Sequence, residues 1–211
     1  MSYYGVGGTA IGIKTKDSVL LATDKLYLTG NVAFSQTAKK LYRLTDRVYL
    51  ATAGLIADSQ GLVKEVKYNI GVRMSSIQRS PSINSIARLV SVILYSSKGL
   101  PFYTQVLVGG VVDKPELYSL DSLGSVMSDD YVAIGTGAET ALSILDTRYN
   151  ESMNKEGLLR LVEDVFITVG QRDVLTGNKV DVVYISKDVV EEIVLVQRGS
   201  MDIVKHKGGG V

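Results

Sequence analysis

The order of strand-like and helical patterns constrains the fold of this chain more than any other feature. A first group of strand-like runs covers residues 9–15, 19–23, 32–35, 41–44 and 48–53. A second group covers residues 105–112, 116–120 and 131–134, and two closing strands cover 180–186 and 191–196. Helical patterns occur as a pair in each of the two intervals between these groups. Paired helices argue against a doubly wound parallel sheet, in which single helices alternate with strands.

The four helices are predicted from apolar residues that recur at helical spacing. Three of them are expected at about 56–78, 138–149 and 155–170, and the buried face of the other is defined by Ile83, Ile86, Val90, Ile93 and Leu94. Pro81 and Ser82 are typical of a helix stop followed by an N-cap, and the triplet KDS at 16–18 predicts a turn between the first two strands. We therefore expect an α+β protein with antiparallel sheets covered by helix pairs. Two such sheets stacked on each other give a four-layer αββα sandwich in one domain.

Composition excludes several classes of function. The 211 residues contain 23 Lys and Arg against 22 Asp and Glu, which gives no electrostatic case for nucleic acid or an anionic membrane. Cysteine is absent, so disulfides, thiolate metal sites and cysteine nucleophiles are excluded. The single histidine, His206, lies in the polar stretch KHKGGGV and is expected to be solvated. We expect no cofactor and no metal, and the lack of a secretory signal or a long apolar run predicts a cytoplasmic protein.

The glycine-rich start, GVGGTAIGIK at residues 5–14, has three interpretations. A dinucleotide-binding loop needs a strand before the glycines and a helix after them, but a strand-like run follows Ala10. A flexible terminus remains possible, because glycine-rich ends are often disordered. The third interpretation is an N-terminal nucleophile. Thr9, freed by cleavage after the small residue Gly8, would carry a hydroxyl and an α-amino group that can act as its base.

Several sequence blocks taken together resemble β-type subunits of the 20S proteasome, especially archaeal ones. They are GTAIGIKTKDSVLLATDK (8–25), TAKKLY (37–42), ATAGLIADSQ (51–60), PFYTQVLVGG (101–110), LYSLDSLGS (117–125), YVAIGTG (131–137) and QRDVLTGNKVDVVYI (171–185). The resemblance implies the N-terminal nucleophile hydrolase fold, which agrees with the αββα order above. It divides the chain into a short pre-sequence (1–8), the β-type domain (9–196) and a polar tail (197–211).

The resemblance also implies a site, residue by residue. Thr9 is the candidate nucleophile at the motif level, and Lys40 matches the catalytic lysine with Asp24 as its acidic partner. Gly54 matches the residue whose backbone N–H forms the oxyanion hole. Asp173 and Thr176 match the family's supporting Asp and Ser. Thr136 also stands where the family usually has serine. The hydroxyl groups of Thr136 and Thr176 therefore keep a hydrogen-bond donor and acceptor at both positions.

Three departures from the family pattern cluster at this site. Counting back by the family's spacing from Asp24 or Lys40 leads to Gly8 instead of Thr9. Because alternate residues of a strand face opposite sides, that register would turn the Thr9 hydroxyl away from Lys40. Leu26 and Leu28 stand where active subunits usually carry a basic residue and a small hydroxyl residue. A one-residue deletion absorbed by the KDS turn would instead keep Thr9 as nucleophile.

Two functions remain open from the sequence. In one, the chain is a zymogen that cleaves itself at Gly8–Thr9 and then hydrolyses peptide bonds as a threonine-type endopeptidase. In the other, it is a structural member of the β ring, and a paralogous β chain supplies the nucleophile. A non-proteasomal hydrolase of the same fold is disfavoured by blocks 101–125 and 171–185. In both leading cases the resemblance implies a seven-membered β ring, contact with α-type subunits, and unfolded polypeptides delivered by an unfoldase ATPase.

Overall fold

The computed structural model describes residues 6–30, 32–78, 80–177, 179–198 and 200–205. The first half contains seven strands and two helices: β1 (Val6–Gly7), β2 (Thr9–Lys14), β3 (Ser18–Asp24), β4 (Tyr27–Thr29), β5 (Val32–Ser35), β6 (Leu41–Arg43), β7 (Val48–Leu55), α1 (Ile56–Ile77) and α2 (Ile83–Ser96). The second half contains β8 (Thr104–Val111), β9 (Pro115–Leu120), β10 (Val126–Ser128), β11 (Tyr131–Gly135), α3 (Ala138–Arg148), α4 (Lys155–Arg172), β12 (Lys179–Ser186), β13 (Val190–Arg198) and β14 (Ser200–Lys205).

These strands form two six-stranded sheets and one small hairpin. One sheet has the order β1-β7-β8-β9-β10, with β6 also paired to β7. The other has the order β11-β2-β3-β12-β13-β14, and β4 pairs with β5 by itself. Every pairing given between neighbouring strands is antiparallel. The predicted α+β class with antiparallel sheets is therefore confirmed.

Three apolar clusters show how the layers stack. One cluster packs α3 and α4 on the outer face of the sheet that contains β2 and β3, and another packs α1 and α2 on the sheet that contains β7 and β8. The third joins the inner faces of both sheets. Along β3, Leu20 and Ala22 face the helices, whereas Val19 and Leu21 face the other sheet. Both faces of the strand are thus buried, and the result is the predicted four-layer αββα sandwich.

The helix boundaries follow local signals in the sequence. Ser82 caps α2 by accepting a hydrogen bond from the backbone N–H of Ser85, as expected from the Pro81–Ser82 pair. Asn154 caps α4 in the same way through Gly157. No helix among the described residues is long and apolar enough to cross a membrane.

Four strands were not predicted from the sequence. They are β1, β4, β10 and β14, of two, three, three and six residues. The three shortest give too few alternating positions to be recognised, and pairing with a neighbour decides whether they form. β14 lies inside the segment expected to be a polar tail, 197–211, and pairs with β13. His206 lies outside the described residues, as do residues 1–5 of the pre-sequence.

Candidate active site

A buried ion pair between the two sheets lies at the centre of the candidate site. Asp24 ends β3, and Lys40 directly precedes β6 with its carbonyl accepting the backbone N–H of Thr52 in β7. The Lys40 ammonium donates to Asp24 Oδ1 over 2.8 Å, and the two side chains are 3% and 0% exposed. A pair this deeply buried needs further hydrogen bonds to offset desolvation. Asp24 has them from the backbone N–H groups of Thr9, Leu26 and Gly177.

The residue that faces this ion pair is Gly8. A Cβ atom placed on Gly8 would overlap the Lys40 ammonium and lie 2.5 Å from Asp24 Oδ1. Gly8 is buried and has φ of +95°, a conformation that residues with a side chain rarely adopt. The position opposite the lysine is therefore occupied by backbone alone, without a hydroxyl group.

The Thr9 side chain lies on the opposite side of the strand. Its Oγ1 is 2.7 Å from Thr176 Oγ1 and accepts a hydrogen bond of 3.1 Å from the backbone N–H of Gly137. Thr9 is fully buried. Because β2 pairs with β11 from Thr9 onward and with β3 from Ala10 onward, the strand register fixes this orientation.

A carboxylate with two hydroxyl donors forms the second half of the site. Asp173, at the C-terminal end of α4, accepts through Oδ2 from Thr136 Oγ1 and from Thr176 Oγ1, each over 2.6 Å. Thr136 also holds the pre-sequence, since its backbone N–H donates to the carbonyl oxygen of Gly8 over 3.0 Å. The network thus runs from Asp173 through both threonines to Gly8 and Thr9.

Gly54 lies on the other side of the Gly7–Gly8 backbone. β1 pairs with β7 so that Gly7 is opposite Gly54 and Val6 is opposite Leu55. Gly54 has φ of +126°, and a Cβ there would run into the carbonyl oxygen of Tyr103, so only glycine fits. Beside it is a cavity of about 370 Å³, lined by Gly7, Ala53, Gly54, Tyr103, Thr104, Gln105, Ser122, Gly135 and Thr136.

The structure brings all seven candidate residues together: Thr9, Asp24, Lys40, Gly54, Thr136, Asp173 and Thr176. Three neighbours were not singled out from the sequence. Gly137 holds the Thr9 hydroxyl, Leu175 packs against Gly7, and the Gln105 side chain accepts the backbone N–H of Gly135. Contacts to backbone or to glycine leave no recognisable pattern in a sequence, so only the fold shows them. Among the described residues no group of His, Cys, Asp or Glu is arranged to hold a metal ion.

Comparisons with known proteins agree with the resemblance. The family described as "Proteasome subunit" matches residues 5–185. The chain is 40% identical over 192 residues to proteasome subunit beta 1 of Nitrosopumilus maritimus, an alignment that covers 91% of this chain and 97% of that protein. It is 38% identical over 188 residues to proteasome subunit beta 2 of Pyrobaculum calidifontis, covering 89% and 93%. With the fold and these matches together, the chain belongs to the proteasome subunit family, among its β-type members.

Proposed function

We propose that this chain is a β subunit of the proteasome core that helps to form the proteolytic chamber but carries no nucleophile of its own. The family forms a threonine protease complex, so the activity belongs to the assembly in which the chain takes part. The observation that carries the proposal is the register at the site. Gly8 faces Lys40 and Asp24, whereas the Thr9 hydroxyl faces Thr176 and Gly137.

The chemistry of a threonine protease explains why this register matters. The nucleophile must present its hydroxyl to a base and to an exposed scissile carbonyl. Lys40 has no hydroxyl within reach at Gly8, and Thr9 is fully buried with its oxygen already hydrogen-bonded twice. In this arrangement the buried Thr9 hydroxyl is not open to a substrate carbonyl.

Catalysis by Thr9 after cleavage at Gly8–Thr9 would require β2 to slip by one residue. That slip would shift its five paired positions with β11 and its five with β3. It would also turn Ile11 and Ile13 away from the cluster under α3 and α4. A one-residue slip exchanges the two faces of a strand, which is unfavourable where both faces are buried.

Family membership supports the remaining assignments. We propose that the chain assembles with other β chains in a seven-membered ring, contacts α-type subunits, and shares the ring with a paralogous β chain that carries out hydrolysis. An unfoldase ATPase would deliver unfolded polypeptides to the assembly, and we expect it in the cytoplasm. The pre-sequence, 1–8, remains attached in this proposal, and the β-type domain begins after it.

The test is the intact mass of this chain in assembled particles that were treated with a threonine-reactive electrophile. We expect a chain that keeps its pre-sequence and carries no adduct, while the paralogous β chain in the same particles provides the positive control by gaining one. Thr9→Ala should then leave the peptidase activity of the particles unchanged. A chain that begins at Thr9 and carries one adduct would overturn the proposal in favour of self-cleavage and catalysis by Thr9.

A further inference from the structure

A groove of about 300 Å³ lies between helix α2 and strand β10. Arg88 lines it from the helix, Met127 lines it from the strand, and Tyr118 of the neighbouring β9 completes its wall. None of the seven candidate residues lines this β10 groove, so it is separate from the candidate active site.

The strand that borders the groove has a free backbone edge. β10 is the last strand of its sheet, and among the pairings of the described residues it bonds to β9 alone. All three of its residues, Val126–Ser128, are exposed. The unpaired backbone groups of an edge strand can pair with a further strand, and extended peptides bind proteins in this way.

Exposed apolar side chains surround the groove. They are Val92 and Tyr95 of α2, Leu123 of the turn before β10, and Val126 and Met127 of β10, all between 38% and 66% exposed. The turn packs directly on α2, because the Ser91 hydroxyl donates to the Gly124 carbonyl oxygen. The helix, the turn and the strand therefore carry one apolar surface, of the kind that marks an interaction site.

One cation in the groove is held in place with most of its donors unused. Arg88 Nε donates to Asn84 Oδ1 over 2.8 Å, and Asn84 Nδ2 donates to the Tyr118 hydroxyl over 3.1 Å. Within the part of the chain that the structure describes, Arg88 has no acidic partner within 4 Å, and its two terminal nitrogen atoms form no hydrogen bond. Guanidinium nitrogens in this state bind a carboxylate with two parallel hydrogen bonds.

Two carboxylates near the groove are already engaged elsewhere. Glu116 Oε2 accepts from the Tyr118 hydroxyl over 3.0 Å. Asp121 Oδ1 accepts from the backbone N–H groups of Leu123 and Ser125 inside the turn, each over 2.9 Å. Arg88 is therefore left to pair with a carboxylate from outside the chain.

We infer that the β10 groove is a strand-addition site for an extended acidic segment of a paralogous β chain. The segment pairs with the free edge of β10, covers the apolar surface and places a carboxylate on Arg88. The inference rests on the proposed function, in which this chain assembles with other β chains. Ser122, in the turn beside the groove, also lines the cavity next to Gly54, so the docked chain lies close to the candidate site. That position suits a β chain whose own site opens into the same chamber.

The first test replaces Met127 by the photo-crosslinking amino acid p-benzoylphenylalanine and identifies the cross-linked peptides of assembled particles by mass spectrometry. We expect cross-links to one segment of a paralogous β chain that contains Asp or Glu. Val189 is the control position, since it is also an exposed apolar residue but lies in the turn between β12 and β13, and it should not cross-link to that segment. Cross-links only to α-type subunits, only to polypeptide substrates, or to nothing would overturn the inference.

Charge reversal at Arg88 tests the carboxylate separately. Arg88→Glu should lower the fraction of the chain recovered in particles by about tenfold, because like charges opposed across an interface disfavour association. Arg88→Lys keeps the charge but loses the two-pronged geometry, so its loss should be smaller. Arg160→Glu is the matched control, since Arg160 is exposed on α4 in the other helix layer. Circular dichroism of the isolated chains checks that all variants fold.

A swap of charges completes this test. Lysine at the cross-linked acidic residue of the paralogous chain should restore the recovery of Arg88→Glu. Recovery of Arg88→Glu at the level of Arg160→Glu, without any change in the partner, would overturn the role of Arg88.

The two proposals fail in different ways. A chain that is found in particles with its N-terminus at Thr9 and with an electrophile adduct refutes the absence of a nucleophile. A full-length chain without an adduct, whose position 127 does not cross-link to a β chain, refutes the strand-addition site alone.

Discussion

At the scale of single residues, Lys40 forms a buried ion pair with Asp24 that links several elements. Without a hydroxyl opposite it, its hydrogen-bonding partner in the structure is Asp24, which accepts three backbone N–H groups in addition. The Asp24 carboxylate thereby joins the start of β2, the end of β3 and the loop before β12. Residues that match a catalytic pair by position thus tie together the end of the sandwich at which the chain begins.

Lys40→Met should destabilise the fold strongly. The substitution leaves the Asp24 carboxylate buried without its counter-charge, and breaking a buried pair costs about 3–5 kcal/mol. The free energy of unfolding from chemical denaturation measures the effect. Lys16→Met is the control, because the Lys16–Glu151 pair has both side chains 60% exposed and such pairs contribute at most about 1 kcal/mol. Equal effects of both substitutions would contradict the structural role of Lys40.

Thr9→Val should reduce stability without reducing the peptidase activity of particles. Valine keeps the shape of threonine but leaves the backbone N–H of Gly137 unsatisfied in a buried position, which costs about 1–3 kcal/mol. Thr9→Ser keeps the hydroxyl and should lose less stability than Thr9→Val. Thermal unfolding separates the two variants, and a loss of activity in proportion to the loss of the hydroxyl would instead point to Thr9 as a nucleophile.

At the scale of elements, α3 and α4 carry the supporting half of the site at opposite ends. The N-cap of α3 is Gly137, which donates to Thr9, and the C-cap of α4 is Asp173, which accepts from Thr136 and Thr176. The positions of these two helix ends depend on how the helices pack on β2 and β3. Anything that moves α4 along its axis therefore moves Asp173 relative to Thr9.

Asn154→Ala should destabilise α4 by about 1 kcal/mol, the usual effect of losing an N-cap. Asn154 Oδ1 accepts from the Gly157 backbone N–H over 2.9 Å, and alanine leaves that donor to solvent. Ser152→Ala, at an exposed position just before the helix, provides the control and should change little. Urea denaturation of the two variants side by side measures the difference.

The junction between α3 and β2 should make stability depend on pH in the alkaline range. Burial, with Asp130 and Glu151 nearby, raises the pKa of Tyr149 to about 12, while its hydroxyl donates to the Lys14 carbonyl. An unfolded tyrosine ionises near pH 10. Between about pH 10 and 12 the unfolded chain has lost a proton that the folded chain keeps, so the free energy of unfolding should fall as pH rises.

Tyr149→Phe should make that fall less steep, because the residue no longer titrates in either state. Denaturant unfolding at a series of pH values between 9 and 12 measures the slopes. Identical slopes in the two proteins would show that Tyr149 does not contribute.

At the scale of the whole molecule, the two sheets approach closely where glycines replace side chains. Across the interface, Gly12 of β2 lies against Leu117 of the other sheet, and Gly109 of β8 lies against Leu21 and Val19 of β3. A Cβ on Gly109 would lie 2.9 Å from Val19 Cγ1, so a larger residue would push the sheets apart. This contact sets the spacing of the layers that carry Asp24 on one side and Gly54 on the other.

Gly109→Val should therefore destabilise the sandwich by about 1–3 kcal/mol, the usual effect of overpacking a core. Gly71→Ala is the contrast, since it lies exposed in α1 with nothing within 4 Å of a Cβ and should stabilise the chain by about 0.5–1 kcal/mol. Calorimetric melting of both variants checks that their changes in stability have opposite signs. Destabilisation by Gly71→Ala would contradict the open surroundings of that residue.

Sequence periodicity determined the element order and the antiparallel layers, because both depend on the local alternation of apolar and polar residues. It also determined most boundaries, because helix ends depend on caps such as Ser82. The spacing of the family's motifs also identified the seven candidate residues, and it placed Gly8 at the position where the family has its nucleophile. Only the tertiary structure decided which residues of different elements contact each other. The hydrogen-bond partners of Thr9, the packing of Gly7 against Leu175 and the pairing of β1 with β7 all join residues far apart in the chain. Such contacts involve backbone groups and glycines, which leave no periodic signal in a sequence, so only the packed sandwich fixes them.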